Sequence, residues 1–179
     1  MLDIGCGVGR TTRALAARVD QVLAIDVSGE MLARARELNA ALTNVRWLHG
    51  DGATLRPVAD GSVDGCFSWV VFQHIPDQAV IFGYIREMAR GLRPGGWAVF
   101  QVSTHPAVHA GRPGVAGRLK AAVGAGPRGQ LDPSWHGSPV EIGALHEVLA
   151  DSGLEVDTIA AAGTQYTTVR AHRRRAGEA

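Results

Sequence analysis

The chain has 179 residues, 46% hydrophobic and 20% charged, with a formal net charge of +1. That length suits one domain with a three-layer core. No apolar run is long enough to span a bilayer, and the near-neutral charge leaves no electrostatic footprint for nucleic acid. Two cysteines, Cys6 and Cys66, make no disulfide framework, and the start lacks the segments of a signal peptide, so a cytoplasmic location is expected. Lys120 is the single lysine among 18 basic residues, a bias that suggests a GC-rich bacterial genome and says nothing about chemistry.

Strand and helix patterns alternate over the first hundred residues, which predicts βαβ units and a parallel sheet. Leu2-Asp3-Ile4 is a short apolar strand leading into Gly5-Cys6-Gly7-Val8-Gly9, a loop where a ligand can approach the backbone. A helix follows from Arg10 to Val19, with Thr12, Leu15, Ala16 and Val19 on one face. Val22-Leu23-Ala24-Ile25 is a buried strand closing at Asp26. Ser28 is the expected N-cap of a helix whose buried face is Met31, Leu32, Ala35, Leu38 and Leu42. Val45 to Leu48 forms a third strand, closing at Gly50-Asp51-Gly52, and Val63 to Val71 a fourth, continuous enough in apolar residues to be central.

Pro76-Asp77 opens a helix with Val80, Ile81, Tyr84, Ile85, Met88 and Leu92 on one face, and Arg93-Pro94-Gly95-Gly96 stops it. Trp97 to Val102 is the fifth strand. Residues 104–137 are rich in Gly, Pro and Ala without periodicity, and so are expected to be a functional cover or a mobile insertion. Ser138-Pro139-Val140-Glu141 reads as a capping box for a helix through Ile142, Leu145 and Leu149 to Gly153. Leu154 to Ile159 and Tyr166 to Ala171 are two closing strands. The basic run from His172 to Arg175 is expected to be a solvated tail. The domain therefore spans 1–173, with residues 174–179 as its tail.

Asp3, Asp26 and Asp51 each end a strand, and in an open parallel sheet those ends share the edge where ligands bind. Three such acids beside a Gly-x-Gly-x-Gly loop exceed what capping needs. They suit a ligand bearing an ammonium, a ribose diol and an exocyclic amine, all hydrogen-bond donors to carboxylates. A dinucleotide site fits Asp26, about twenty residues beyond the first glycine. It does not fit the glycines, whose third member follows the second by two positions rather than three, and it leaves Asp51 without a task.

In these pieces the chain resembles the class I S-adenosylmethionine-dependent methyltransferases, in particular the small-molecule group that includes the ubiquinone and menaquinone methylases. The resemblance rests on Leu2 to Gly9, on Ile25-Asp26-Val27-Ser28 with Met31-Leu32, on Gly50-Asp51, on Phe67 to Asp77 and on Leu92 to Gly96, in that order. It implies an α/β fold of three layers: a doubly wound, mostly parallel, Rossmann-like sheet of seven strands in the order 3-2-1-4-5-7-6, with the last strand antiparallel. It also implies S-adenosylmethionine as cofactor. Gly5 and Gly7 would meet its methionine moiety, Asp3 would order the loop and reach the ammonium, and Asp26 would accept both ribose hydroxyls. Met31 would pack on the adenine, Asp51 with the Gly52 backbone would take the adenine amine, and Ser68 would lie near the methionine end.

The expected reaction is methyl transfer to a small-molecule acceptor by in-line displacement, with placement and exclusion of water as the protein's main contributions. His74, just past the fourth strand, is the candidate base, since imidazole exchanges protons near neutrality. His105, His109 and His136 lie in or beside the insertion where acceptor specificity is expected. With His74 they match no compact ligand spacing, so no metal is expected. Trp69 and Trp135 are candidates for an apolar acceptor pocket. No membrane or nucleic-acid partner is expected, and the oligomeric state is left open. Relatives of this kind carry helical sequence before the first strand, so this short first strand suggests a shortened chain. The second reading is accordingly a methyltransferase-fold remnant that binds weakly or pairs with another protein.

Overall fold

The computed structural model describes residues 1–106, 137–175 and 177. His109, Trp135 and His136, and with them almost all of the expected insertion at 104–137, lie outside the described residues. The elements in chain order are β1 (Leu2–Ile4), α1 (Arg10–Ala16), β2 (Val22–Asp26), α2 (Gly29–Leu38), β3 (Val45–His49) and β4 (Val63–Ser68). A 3₁₀ turn (Phe72–His74), α3 (Gln78–Gly91), β5 (Leu92–Val102), α4 (Ile142–Asp151), β6 (Leu154–Ala160) and β7 (Thr167–Arg173) complete the described chain. The seven strands form one sheet in the order β3-β2-β1-β4-β5-β7-β6. β7 is antiparallel to both β5 and β6, and the pairs from β3 to β5 are parallel.

β1 stands where the strand order reverses, with β2 on one side and β4 on the other. Side chains paired across the sheet share a face, so the register sorts the core into two layers. Leu2, Leu23 and Cys66 face α3 and α4, where Phe72, Ile81, Ile85, Met88, Phe100 and Leu145 pack into the larger cluster. Asp3, Ala24, Phe67, Val99 and Arg170 share the other face. There α1 and α2 cover β1 to β3 through Ala16, Val22, Ala24 and Leu32. Phe67, Trp97 and Val99 remain only partly buried and join neither cluster.

Several boundaries differ from the sequence expectation. α1 stops at Ala16, and Val19 instead packs from the following turn beside Leu42, Val45 and Trp47. On α2, Leu32 and Ala35 are buried, but Met31 and Leu38 are exposed, because the helix rests on the sheet along a narrower stripe than the apolar residues suggest. β4 ends at Ser68 rather than Val71: Val70 takes φ 59°, which breaks the strand before the 3₁₀ turn. Glu141, not Ser138, caps α4, its carboxylate accepting from the Gly143 and Ala144 amides, while Val140 is pinned earlier by its amide bond to the Ser103 carbonyl. His172 and Arg173 are not tail but the end of β7. His172 sits between Glu155 and Asp157, Arg173 donates to the Leu92 carbonyl, and Arg174 pairs with Glu155.

Candidate functional site

At the carboxyl ends of β1 and β2 lies a cavity of about 240 Å³ lined by Ile4, Gly5, Ile25, Asp26, Val27, Gly50, Val70, Val71, His74 and Tyr84. This is the strand-order reversal, where crossovers leave in opposite directions and the sheet edge stays open. The structure thus brings together three of the candidate site residues read from the sequence: Gly5, Asp26 and His74. Asp3, Gly7, Met31, Asp51, Gly52 and Ser68 are not part of this lining.

Asp26 is the hub. Its Oδ2 accepts the Gly7 amide at 2.8 Å and its Oδ1 the Ser28 amide at 2.9 Å. Each carboxylate oxygen keeps a further lone pair, so the group braces the loop and can still accept from a diol. The Ser28 hydroxyl in turn accepts from the Met31 amide at 3.2 Å and starts α2, on which Met31 is exposed.

Asp3 lies beneath the loop, 2% exposed, and takes the Thr12 hydroxyl at 2.6 Å. Burial pushes its carboxyl up to about 6, helped by the charge of Asp26 and opposed by the Thr12 bond. It ties β1 to α1 and holds the loop from below. Cys6, buried in the same loop, is pushed up to about 12 by burial and then by Asp3 and Asp26, which keeps the thiol protonated and inert.

Asp51 is spread over its own turn, accepting the Ala53 and Thr54 amides at 2.9 and 2.7 Å and the Thr54 hydroxyl at 2.7 Å. The Thr54 hydroxyl first, then the two amides, hold its carboxyl down at about 2. It is therefore ionised and held in one orientation by its own turn. Ser68 is buried, its hydroxyl donating to the Ile4 carbonyl across the sheet at 3.3 Å, so it serves the ladder between β4 and β1. Trp69 is exposed and stacks on Phe67 with centroids 6.1 Å apart.

Three contributors were not legible as site residues. Val71 packs directly on the loop: a Cβ on Gly5 would lie 2.3 Å from its Cγ2, and Gly5 has φ 71°, so only glycine fits there. Gln101, buried on β5, accepts the Val70 amide at 3.3 Å and steadies the strained residue that aims Val71. Tyr84 belongs by its spacing to the buried face of α3 and is buried against Phe72, yet it also forms the cavity wall. Burial, then the charges of Asp51 and Asp26, push its phenol up to about 12, leaving it a hydrogen-bond donor. The available signal was a hydroxyl-bearing aromatic two helical turns into α3.

The loop after β3 is clamped from α3. Arg90 donates to the Val58 carbonyl at 2.8 Å and the Leu55 carbonyl at 3.1 Å and pairs with Glu87 and Asp60, while Glu87 accepts the Leu55 amide at 3.0 Å. This clamp fixes the far side of the turn that carries Asp51.

A sequence family described as "Methyltransferase domain" matches residues 2–100. The trans-aconitate 2-methyltransferase of Azoarcus sp. (strain BH72) is 38% identical over 104 residues, covering 57% of this chain and 38% of that protein. A demethylmenaquinone methyltransferase of Staphylococcus aureus (strain JH9) is 36% identical over 108 residues, covering 59% of this chain and 43% of that protein. The chain thus matches about two fifths of the length of these curated relatives. Among solved structures, an S-adenosylmethionine-dependent methyltransferase from Mesorhizobium loti superposes with a TM-score of 0.71 at 22% identity, covering 96% of this chain and 89% of that one, a likeness of fold.

Proposed function

The chain belongs to the class I S-adenosylmethionine-dependent methyltransferases, and we propose that it moves the cofactor's methyl group to a small-molecule acceptor at the cavity between β1, β2 and the 3₁₀ turn. The observation that carries this reading is Asp26, which braces the glycine loop through Gly7 and faces the cavity with acceptor capacity to spare.

The residues fit the cofactor's donors. Asp26 accepts the ribose diol in charge-assisted bonds. Asp51, ionised and exposed one residue beyond the cavity-lining Gly50, would take the adenine amine, and the exposed Met31 would cover the base. The Gly5 to Gly7 backbone meets the methionine end, and the buried carboxyl of Asp3 adds negative potential beneath its ammonium. When bound, the sulfonium supplies an electrophilic methyl group, whose transfer to a nucleophile leaves the C–S bonding electrons on sulfur. The chain's own task is to orient the nucleophile, exclude water and accept a proton from an oxygen or carbon acid. His74, on the cavity wall, is the residue we assign to that proton; Tyr84 and the apolar Val70 and Val71 orient the acceptor. The relatives' names support an acceptor of small-molecule size.

Isothermal titration with S-adenosylmethionine, S-adenosylhomocysteine and NAD tests the assignment. Binding of the first two ahead of NAD is expected, and tighter NAD binding refutes it. Binding without turnover across a panel of carboxylic-acid and quinol acceptors would favour the second reading, a fold kept for binding or pairing.

A further inference from the structure

We propose that Asn39 is a positioning residue for the glycine loop, holding it by the Val8 carbonyl so that its amides face the amino-acid end of the ligand; the proposal rests on the cofactor reading above.

Asn39 follows the last turn of α2 and is 4% exposed. Its Nδ2 donates to the Val8 carbonyl at 3.1 Å and the Ala35 carbonyl at 2.7 Å, and its Oδ1 accepts from Arg13 Nε at 3.1 Å. One side-chain amide therefore joins α2, α1 and the loop, with both of its N–H donors engaged. The Ala35 carbonyl also receives the Asn39 backbone amide at 3.0 Å, so the helix end is capped without the side chain. The side-chain bond that reaches the glycine loop is the one to Val8.

Trp47 on β3 closes the remaining side. A Cβ on Gly9 would lie 2.6 Å from Trp47 Cη2 and 2.7 Å from Asn39 Nδ2, and Gly9 has φ 84°. The loop is thus gripped at adjacent residues: Asp26 takes the Gly7 amide and Asn39 takes the Val8 carbonyl. Releasing the carbonyl leaves the Val8–Gly9 peptide to be held through its Gly9 amide, which donates to the Cys6 carbonyl at 2.9 Å, and so loosens the loop whose amides face the ligand side. Asn39 does not line the cavity. Its influence therefore falls on ligands that reach the loop and spares those held by the nucleoside alone.

The test measures dissociation constants for S-adenosylhomocysteine and for methylthioadenosine, which keeps the nucleoside and sulfur but lacks the amino-acid end. Wild type, N39D, N39A and R13Q are compared, with thermal midpoints. N39D preserves size and the Arg13 partner but turns an oxygen toward the Val8 carbonyl. It is expected to weaken S-adenosylhomocysteine about tenfold or more and methylthioadenosine by less than about twofold. N39A gives a smaller loss of the same pattern and carries the test should N39D not fold. R13Q leaves both ligands within about twofold. Equal losses for both ligands in N39A, no loss in either, or an R13Q loss matching N39D would overturn the proposal. A wild-type protein that binds neither ligand refutes the cofactor reading, and this proposal with it.

Discussion

The carboxylate of Asp26 accepts the backbone amide of Gly7 at 2.8 Å across 19 residues of sequence, so the acid that ends β2 also sets the shape of the loop that ends β1. Its second oxygen holds Ser28, which starts α2. One side chain thereby couples the glycine loop, the strand end and the helix that flanks the cavity.

Because of that double duty, Asp26→Ala is expected to weaken S-adenosylhomocysteine binding by a hundredfold or so, combining lost ligand bonds of on the order of 1.5–3 kcal/mol with a loosened loop. His74→Ala should change cofactor affinity less than about threefold while lowering turnover. Calorimetry on both variants decides it; equal losses of affinity would contradict the assigned roles.

Asp3 gives the protein a pH dependence of a particular sign. Its folded carboxyl lies near 6 against a usual 3.8, so between about pH 4 and 6 the native state holds a proton that the unfolded chain has released. Stability therefore falls as pH rises through that window and stays lower above it. Asp3→Asn, neutral throughout, should raise the thermal midpoint at pH 7.5 and lose that advantage near pH 4. Cofactor affinity should run the other way, weakening below pH 6 in wild type and losing that dependence in the variant. Melting and titration series across pH 4 to 8 measure both.

Gly5 meets two separate obstacles to substitution, a positive φ and the Val71 methyl groups. Gly5→Ala should lower stability by roughly 2–5 kcal/mol, from backbone strain of about 1–2 kcal/mol and overpacking of about 1–3 kcal/mol. Adding Val71→Ala should restore the overpacking part alone. Denaturant midpoints of the two single variants and the double variant form the cycle; full recovery in the double variant would show that backbone strain contributes nothing.

The Arg90 clamp predicts a split between charge and shape. Arg90→Ala leaves the Leu55 and Val58 carbonyls and Glu87 without their shared donor and should cost about 2–3 kcal/mol. Arg90→Lys keeps the charge but not the planar fork, so it should recover less than half. Chemical denaturation gives both values, and hydrogen exchange at Ala53 to Leu55 should accelerate in either variant.

Much of the architecture was legible because it depends on local chemistry. Short apolar runs and faces at period 3.6 placed all seven strands and the described helices. Ser28 caps α2 as expected and Asp77 caps α3, the helix it was expected to open, and strand-end acids beside a glycine loop pointed to the sheet edge where the cavity lies. Boundaries failed where a tertiary partner overrode the local signal. Val70 leaves β4 early, with its amide taken by Gln101 from a neighbouring strand. Val140 is drawn from the helix start by Ser103, and His172 is drawn into β7 by Glu155 and Asp157. The site divides the same way. The residue types and spacing in the sequence determined that carboxylates and a glycine loop share one sheet edge, because a parallel sheet puts every strand's carboxyl end there. Only the tertiary structure decided which of them face the cavity. Asp26 and Gly5 do, while Asp3 turns under the loop to Thr12, Ser68 turns into the ladder, and Val71 and Tyr84 arrive from the turn after β4 and from α3 to complete the wall. Those positions depend on which side of the pleat each side chain leaves and on what packs across from it, and both are set by the register between strands distant in sequence.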